Sequence, residues 1–187
     1  MSFMFNPLPY DDFTAVNKLS NAKIASANIL TDNKAIFQTL AAEIQGNSKS
    51  KKIVVLDGYL TADFAHFCAG LREAWTGFDM ELHFFDIKEV FKTEEEIQEL
   101  VAPCLPLNYE DDPVLLFGKL YDGAFVDFID RDKLSSFLRR GQGLSGIKVI
   151  YGLGSANELV RTIADYLIYV DVTPKVAVLR TADGQYE

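Results

Sequence analysis

Lys52-Ile53-Val54-Val55-Leu56-Asp57-Gly58-Tyr59-Leu60-Thr61-Ala62-Asp63-Phe64-Ala65-His66-Phe67 decides how the rest of the chain is read. Ile53 to Leu56 is an unbroken apolar run, the pattern of a strand buried on both faces. Gly58 punctuates it. Thr61 is a plausible N-cap for a helix, and Phe64, Phe67, Cys68, Leu71 and Trp75 recur at helical spacing. Strand, glycine turn and helix make the frame in which phosphate-binding loops sit, because free N–H groups and the helix dipole favour an anion at a helix N-terminus.

The residues that would make this frame bind phosphate are absent. A phosphate-binding loop reads G-x-x-x-x-G-K-[ST], and counted from Gly58 its last three places fall on Asp63, Phe64 and Ala65. Phenylalanine stands for the lysine that reaches the β- and γ-phosphates, and alanine for the hydroxyl that binds magnesium. Asp63 puts a carboxylate in the first helical turn, at the positive helix end a phosphate would otherwise use. The frame is kept and its chemistry is erased.

Composition bounds the alternatives. The 187 residues are enough for one domain with a substantial core, and 49% hydrophobic with 24% charged residues is an ordinary globular balance. The net charge of −9 is spread along the chain, which argues against nucleic acid or an anionic membrane as partner, since both need a basic surface. No 18-residue apolar run is present, and the start has neither the basic nor the apolar region of a signal peptide, so the cytoplasm is the expected compartment. Cys68 and Cys104 share no metal-like spacing, and Cys68 falls on the apolar helix face.

Upstream of the central run, Pro7 and Pro9 force an extended entry, and Tyr10, Phe13 and Val16 are suited to pack an arm against the domain. A helix begins near Thr31, with Ile36, Phe37, Leu40, Ala41 and Ile44 as its stripe and Gly46 as its stop. Residues 1–50 thus read as arm and helix, and residues 51–187 as the main α/β domain, in one compact unit. Downstream, Glu81 to Asp86 reads as a strand, and Thr93 with Glu96 as a capping box opening a short helix that Pro103 ends. The acidic segment 109–113 is a loop. Val114–Leu120 and Ala124–Ile129 flank Tyr121-Asp122-Gly123 as a hairpin would, with loop plus helix as the alternative. Leu134, Phe137 and Leu138 mark a helix before a glycine-broken loop. Ile147 to Gly152 is a buried strand, Ser155 with Glu158 a second capping box, Leu159, Val160 and Ile163 the apolar side of its helix, Tyr166 to Val170 a strand, and Thr173-Pro174 the start of a last helix. Alternating strands and helices indicate an α/β three-layer sandwich with a largely parallel sheet.

The run from Val149-Ile150-Tyr151-Gly152 through Asp165-Tyr166-Leu167-Ile168-Tyr169-Val170-Asp171 to Arg180 resembles the end of a uridine-kinase-type P-loop fold. The resemblance implies P-loop-kinase-like topology, a catalytic aspartate where Phe85-Asp86 ends a strand, and a lid arginine at Arg180. Asp111-Asp112-Pro113-Val114, Phe117-Gly118-Lys119, Asp127-Phe128-Ile129-Asp130, Tyr151-Gly152-Leu153-Gly154-Ser155 and the Asp165–Asp171 strand resemble, more narrowly, a bacterial kinase-like domain. That domain precedes the cupin in some class I mannose-6-phosphate isomerase-like proteins. The likeness spans roughly Lys52 to Arg180. The isomerase's own zinc site needs several His and Glu side chains, and this chain has only His66 and His83, so zinc would belong to a cupin that lies outside this sequence.

The candidate residues each carry a structural reading beside the functional one. Asp63 either stands in for phosphate or is an acid stabilising a helix start. Asp86 is a general base or magnesium ligand, or else caps the next turn. Gly152 and Gly154 could bring N–H groups near an anion at the helix that Ser155 starts, or simply allow a turn. Lys119, Arg139, Arg140 and Arg180 are phosphate clamps or solvated surface cations. His66 and His83 have no metal-ligand partners in the pattern. The strand–Gly58–helix frame and the Asp63-Phe64-Ala65 substitutions favour a non-catalytic kinase-like accessory domain without cofactor, and the resemblance implies a place in sugar-phosphate metabolism with a cupin isomerase domain, or a second copy, as partner. The alternatives are an atypical phosphotransferase using ATP and magnesium with Asp86 as base, and a sensor of sugar phosphates or nucleotides at Gly58 and the other strand ends.

Overall fold

A computed structural model describes residues 29–46, 49, 51–106 and 119–185. The apolar run around Val54 and Val55 forms β1 (Lys51–Gly58), and it is the centre of the sheet. β1 pairs in parallel with β3 (Gly146–Tyr151) on one side and β4 (Tyr166–Val170) on the other. β2 (Leu82–Asp86) pairs in parallel with β3, so the order is β2-β3-β1-β4. Parallel neighbours need crossovers, and helices supply them.

The continuous apolar run is explained by the helices on each face. Val55 and Ile150 point to a cluster with Ile87, Val90, Leu134, Phe137 and Val160. Val54, Ile147 and Val149 point the other way, to Ala41, Ile44, Leu71 and Trp75. Helices thus lie on both faces, and the expected α/β three-layer sandwich with a parallel sheet is the observed one, consistent with P-loop-kinase-like topology.

α1 (Asn33–Gly46) buries Phe37, Ala41 and Ile44 of the expected stripe, keeps Ile36 and Leu40 half-buried, and ends at Gly46. It packs on α2 (Phe64–Ala74), where the Phe37 ring meets Phe67 edge-on at 5.1 Å. Gly70 makes that approach possible, since a Cβ there would lie 2.1 Å from the Phe37 ring. Gly70→Ala would gain ~1 kcal/mol of helix propensity. Overpacking costs about 1–3 kcal/mol, so the variant is expected to be less stable in urea unfolding despite its better helix former.

α3 (Glu94–Val101) opens with the Thr93–Glu96 capping box, and the Thr93 backbone N–H holds the Glu96 carboxyl below its ordinary pKa. α4 (Arg131–Gln142) starts at Asp130, whose carboxylate accepts from the Asp132 and Lys133 N–H groups; the Lys133 bond is the main cause of its lowered pKa. α5 (Glu158–Arg161) and α6 (Pro174–Ala182) complete the described helices.

Four local expectations change. The N-cap of α2 is Asp63 rather than Thr61, because the Asp63 carboxylate takes the His66 N–H while Thr61 turns inward. The N-cap of α5 is Asn157, not Ser155, whose hydroxyl is used elsewhere, and of Leu159, Val160 and Ile163 only Val160 is buried. The hairpin gives way to its alternative, loop plus helix: Phe125–Phe128 is a 3-10 turn, tied by Asp127 to the Ala124 N–H and the Tyr121 hydroxyl, with a single bridge from Ile129 to Phe91. The first arm at 114–118, the acidic segment 109–113 and the arm with Tyr10, Phe13 and Val16 lie outside the described residues.

Candidate functional site

Parallel strands present their C-terminal ends on one edge, and Gly58, Asp86, Tyr151 and Val170 end there together. The loop after β1 is closed from below. Tyr59 N–H reaches Val170 O at 3.3 Å, Ala62 N–H reaches Tyr59 O at 2.8 Å, and Asp63 Oδ1 accepts the His66 N–H at 2.8 Å. Phe64 has no exposed surface and packs with Leu56, Ala62 and Cys68. Gly58 is required by close approach, because a Cβ would sit 2.7 Å from Val170 O and 3.2 Å from the Phe64 ring. Arg180 Nη1 donates to Thr61 O at 2.6 Å, which binds α6 to this loop. The buried Thr61 hydroxyl has no partner among the described residues.

The loop after β3 faces the same edge. Gly152 and Gly154 both have positive φ, 117° and 75°, which glycine adopts without strain. Their turn aims N–H groups inward, where they meet Asp57. Its Oδ1 accepts from Gly58 N–H at 2.8 Å and Gly154 N–H at 2.8 Å, and its Oδ2 from Ala156 N–H at 3.0 Å. Ser155 Oγ donates to Leu56 O at 2.8 Å, fixing the loop to β1. Backbone N–H groups converging on one point form an anion cradle, and the chain's own carboxylate fills it.

The edge therefore brings together Gly58, Asp63, Asp86, Gly152, Gly154 and Arg180. Asp86 accepts from the Lys88 N–H at 2.9 Å as cap of the Ile87–Val90 turn, and it lies beside Gly152, where an added Cβ would come within 3.5 Å of its Oδ1. The other cations make their contacts elsewhere. Lys119 is exposed, with its N–H on Cys104 O. Arg139 bonds Ser136, and Arg140 pairs with Glu89 and stands over the Phe137 ring. His66 faces Asn33, and His83 the Ser145 carbonyl. Among the described residues no three His, Cys, Asp or Glu side chains group as a metal site.

The sequence reading missed Asp57. Its signal was available: an acid ending a buried strand has to find donors, and a Gly-x-Gly turn downstream leaves N–H groups in need of an acceptor.

A family model for a domain of unknown function, DUF8485, matches residues 33–187. The chain belongs to the DUF8485 family. Its match starts at α1 and includes all the helices and strands from α1 to α6. A search of curated proteins gave no match. Among solved structures, the chain is similar to the crystal structure of a "putative fructose transport system kinase" from Silicibacter sp. TM1040, with 14% identity, a TM-score of 0.46, and 84% of this chain and 85% of that one covered. Among the described residues of this DUF8485 chain, no helix is long and apolar enough to cross a membrane.

Proposed function

We propose that this chain is a non-catalytic kinase-like domain that acts by association rather than by phosphoryl transfer. The observation that supports it most is the double occupation at the start of α2. Asp63 spends its carboxylate on the helix N-terminus, and Phe64 is wholly buried beneath the loop. Phosphoryl transfer is catalysed by positioned cations and donors aimed at the transferring group. Here the donors after β3 are held by Asp57, and Arg180 is bonded to a backbone carbonyl.

The partner proposed is a cupin-type sugar-phosphate isomerase. It rests on the resemblance of Tyr151-Gly152-Leu153-Gly154-Ser155 and the Asp165–Asp171 strand to isomerase-associated domains. Calorimetric titration with ATP or GTP plus magnesium should give no binding heat. Micromolar binding accompanied by phosphate release or transfer would overturn the reading.

A further inference from the structure

The Val55 face of the sheet holds a cavity whose charged end lies at the strand starts, away from Gly58 and Gly152. Ile53 and Lys148 register with each other there, and Ile150 and Phe85 follow on the same face. These side chains floor a space of about 390 Å³, walled by Phe137 and Leu138 of α4 and by Ile163. Small-molecule sites span about 300–1,000 Å³, with mostly apolar walls and a few placed polar groups. The Phe85 and Phe137 rings meet edge-on at 5.6 Å and fix the aromatic side of the cavity. Gly141 of α4 leaves room for the lysine stem, since a Cβ there would lie 3.2 Å from Lys148 Cδ.

Two charged side chains line the cavity among the described residues, Lys148 and Asp165, and they are not equivalent. Asp165 is matched already: it is ion-paired with Lys49, and its Oδ2 accepts the Ile53 N–H at 2.9 Å. Lys148 is only 7% exposed, so its charge is carried into the cavity. An ammonium has three N–H donors, so a contact within the chain leaves others for a ligand. A buried charge is stabilised by an opposite one.

We propose that this cavity binds a small monocarboxylate. Its compact aliphatic or aryl body lies against Ile150, Phe85 and Phe137, and its carboxylate meets the Lys148 ammonium. The exposed Gln142, which also lines the cavity, has an amide that can donate to the second carboxylate oxygen. A phosphate fits less well, because its extra charge would face Asp165 and the negative C-terminal end of α4. The cavity lies apart from Asp57 and Asp63, so nucleotide binding by the chain would leave this inference untouched.

Methyl NMR titration of the full chain tests it, with octanoate and 3-phenylpropanoate as probes and the matching alcohols as uncharged controls. At least one acid should shift the Ile53, Ile150 and Ile163 methyls saturably, and the tighter acid shows which body the cavity takes. Its alcohol should bind at least about tenfold more weakly, because a hydrogen bond to a charged group is lost. Lys148→Met should erase that difference between acid and alcohol. Ile163→Trp, at a position 42% exposed, should fill the space and weaken binding while the melting temperature stays near that of the wild type. No saturable shift with either acid overturns the inference, whatever part of the chain fills the space. An alcohol that binds wild-type protein as tightly as its acid also overturns it, and that comparison needs no variant to fold.

Discussion

Asp63→Gly, Phe64→Lys and Ala65→Ser together are expected to unfold the protein rather than give it a nucleotide site. The triple change rebuilds the phosphate-loop motif on a strand, turn and helix already in place. Yet Phe64 is fully buried between Leu56, Ala62 and Cys68, with its ring 3.2 Å from where a Cβ on Gly58 would stand. Truncating a buried phenylalanine alone removes about 3–5 kcal/mol, and a domain has only about 5–15 kcal/mol to lose. A lysine in its place adds the burial of a charge. Losing Asp63 also frees the His66 N–H it caps. Thermal unfolding by circular dichroism should show the variant unfolded or melting far below the wild type. A folded variant that binds ATP with magnesium would mean that Phe64 only lids a preserved seat.

Asp57→Ala should have the next largest effect, and a diagnostic one. Three N–H groups, from Gly58, Gly154 and Ala156, lose the carboxylate they share. Leaving buried donors without an acceptor costs about 1–3 kcal/mol, here moderated because Asp57 is half-buried and water can enter. The vacated cradle then faces solvent with its donors still converging. Sulfate or phosphate should therefore raise the melting temperature of Asp57→Ala more than that of the wild type, by mass action on the folded state. Equal shifts for both proteins would mean that the loop after β3 rearranges once its acceptor is gone.

Whatever depended on local pattern was legible in the sequence. Val54, Val55 and Leu56 announced a strand covered on both faces, Thr93 with Glu96 announced a capping box, and both stand as read. Where the reading failed, two local patterns competed and a contact outside the motif chose between them, distant for Ser155 and close by for Thr61 and Asp127. Ser155-x-x-Glu158 is a good capping box in isolation, but Ser155 Oγ is committed to Leu56 O, a bond across 99 residues that no local motif reveals. Thr61 lost the cap to Asp63 through a local turn, closed by Ala62 N–H on Tyr59 O, in which its side chain is buried. The 124–129 segment is mostly apolar and fits a hairpin arm or a loop with a helix equally well, and Asp127 decides for the turn by taking the Ala124 N–H and the Tyr121 hydroxyl. Of the site, Asp63, Asp86 and the two glycines were visible one at a time. Asp57 offered only the sign of an acid ending a buried strand, and its partners, the Gly154 and Ala156 N–H groups, are brought to it only by the pairing of β1 with β3.

At the C-terminal ends of the strands, the chain's own carboxylates, Asp63 and Asp57, occupy the N–H groups that a phosphate would take. Amide resonances of His66, Gly154 and Ala156 report on those groups directly, since Asp63 and Asp57 hold them at 2.8 to 3.0 Å. Titrating labelled protein with ATP and magnesium should leave all three where they are, while the protein stays folded throughout. Saturable movement of these amides, with the rest of the spectrum unchanged, would show that phosphate displaces the carboxylates and that the site is open to nucleotide.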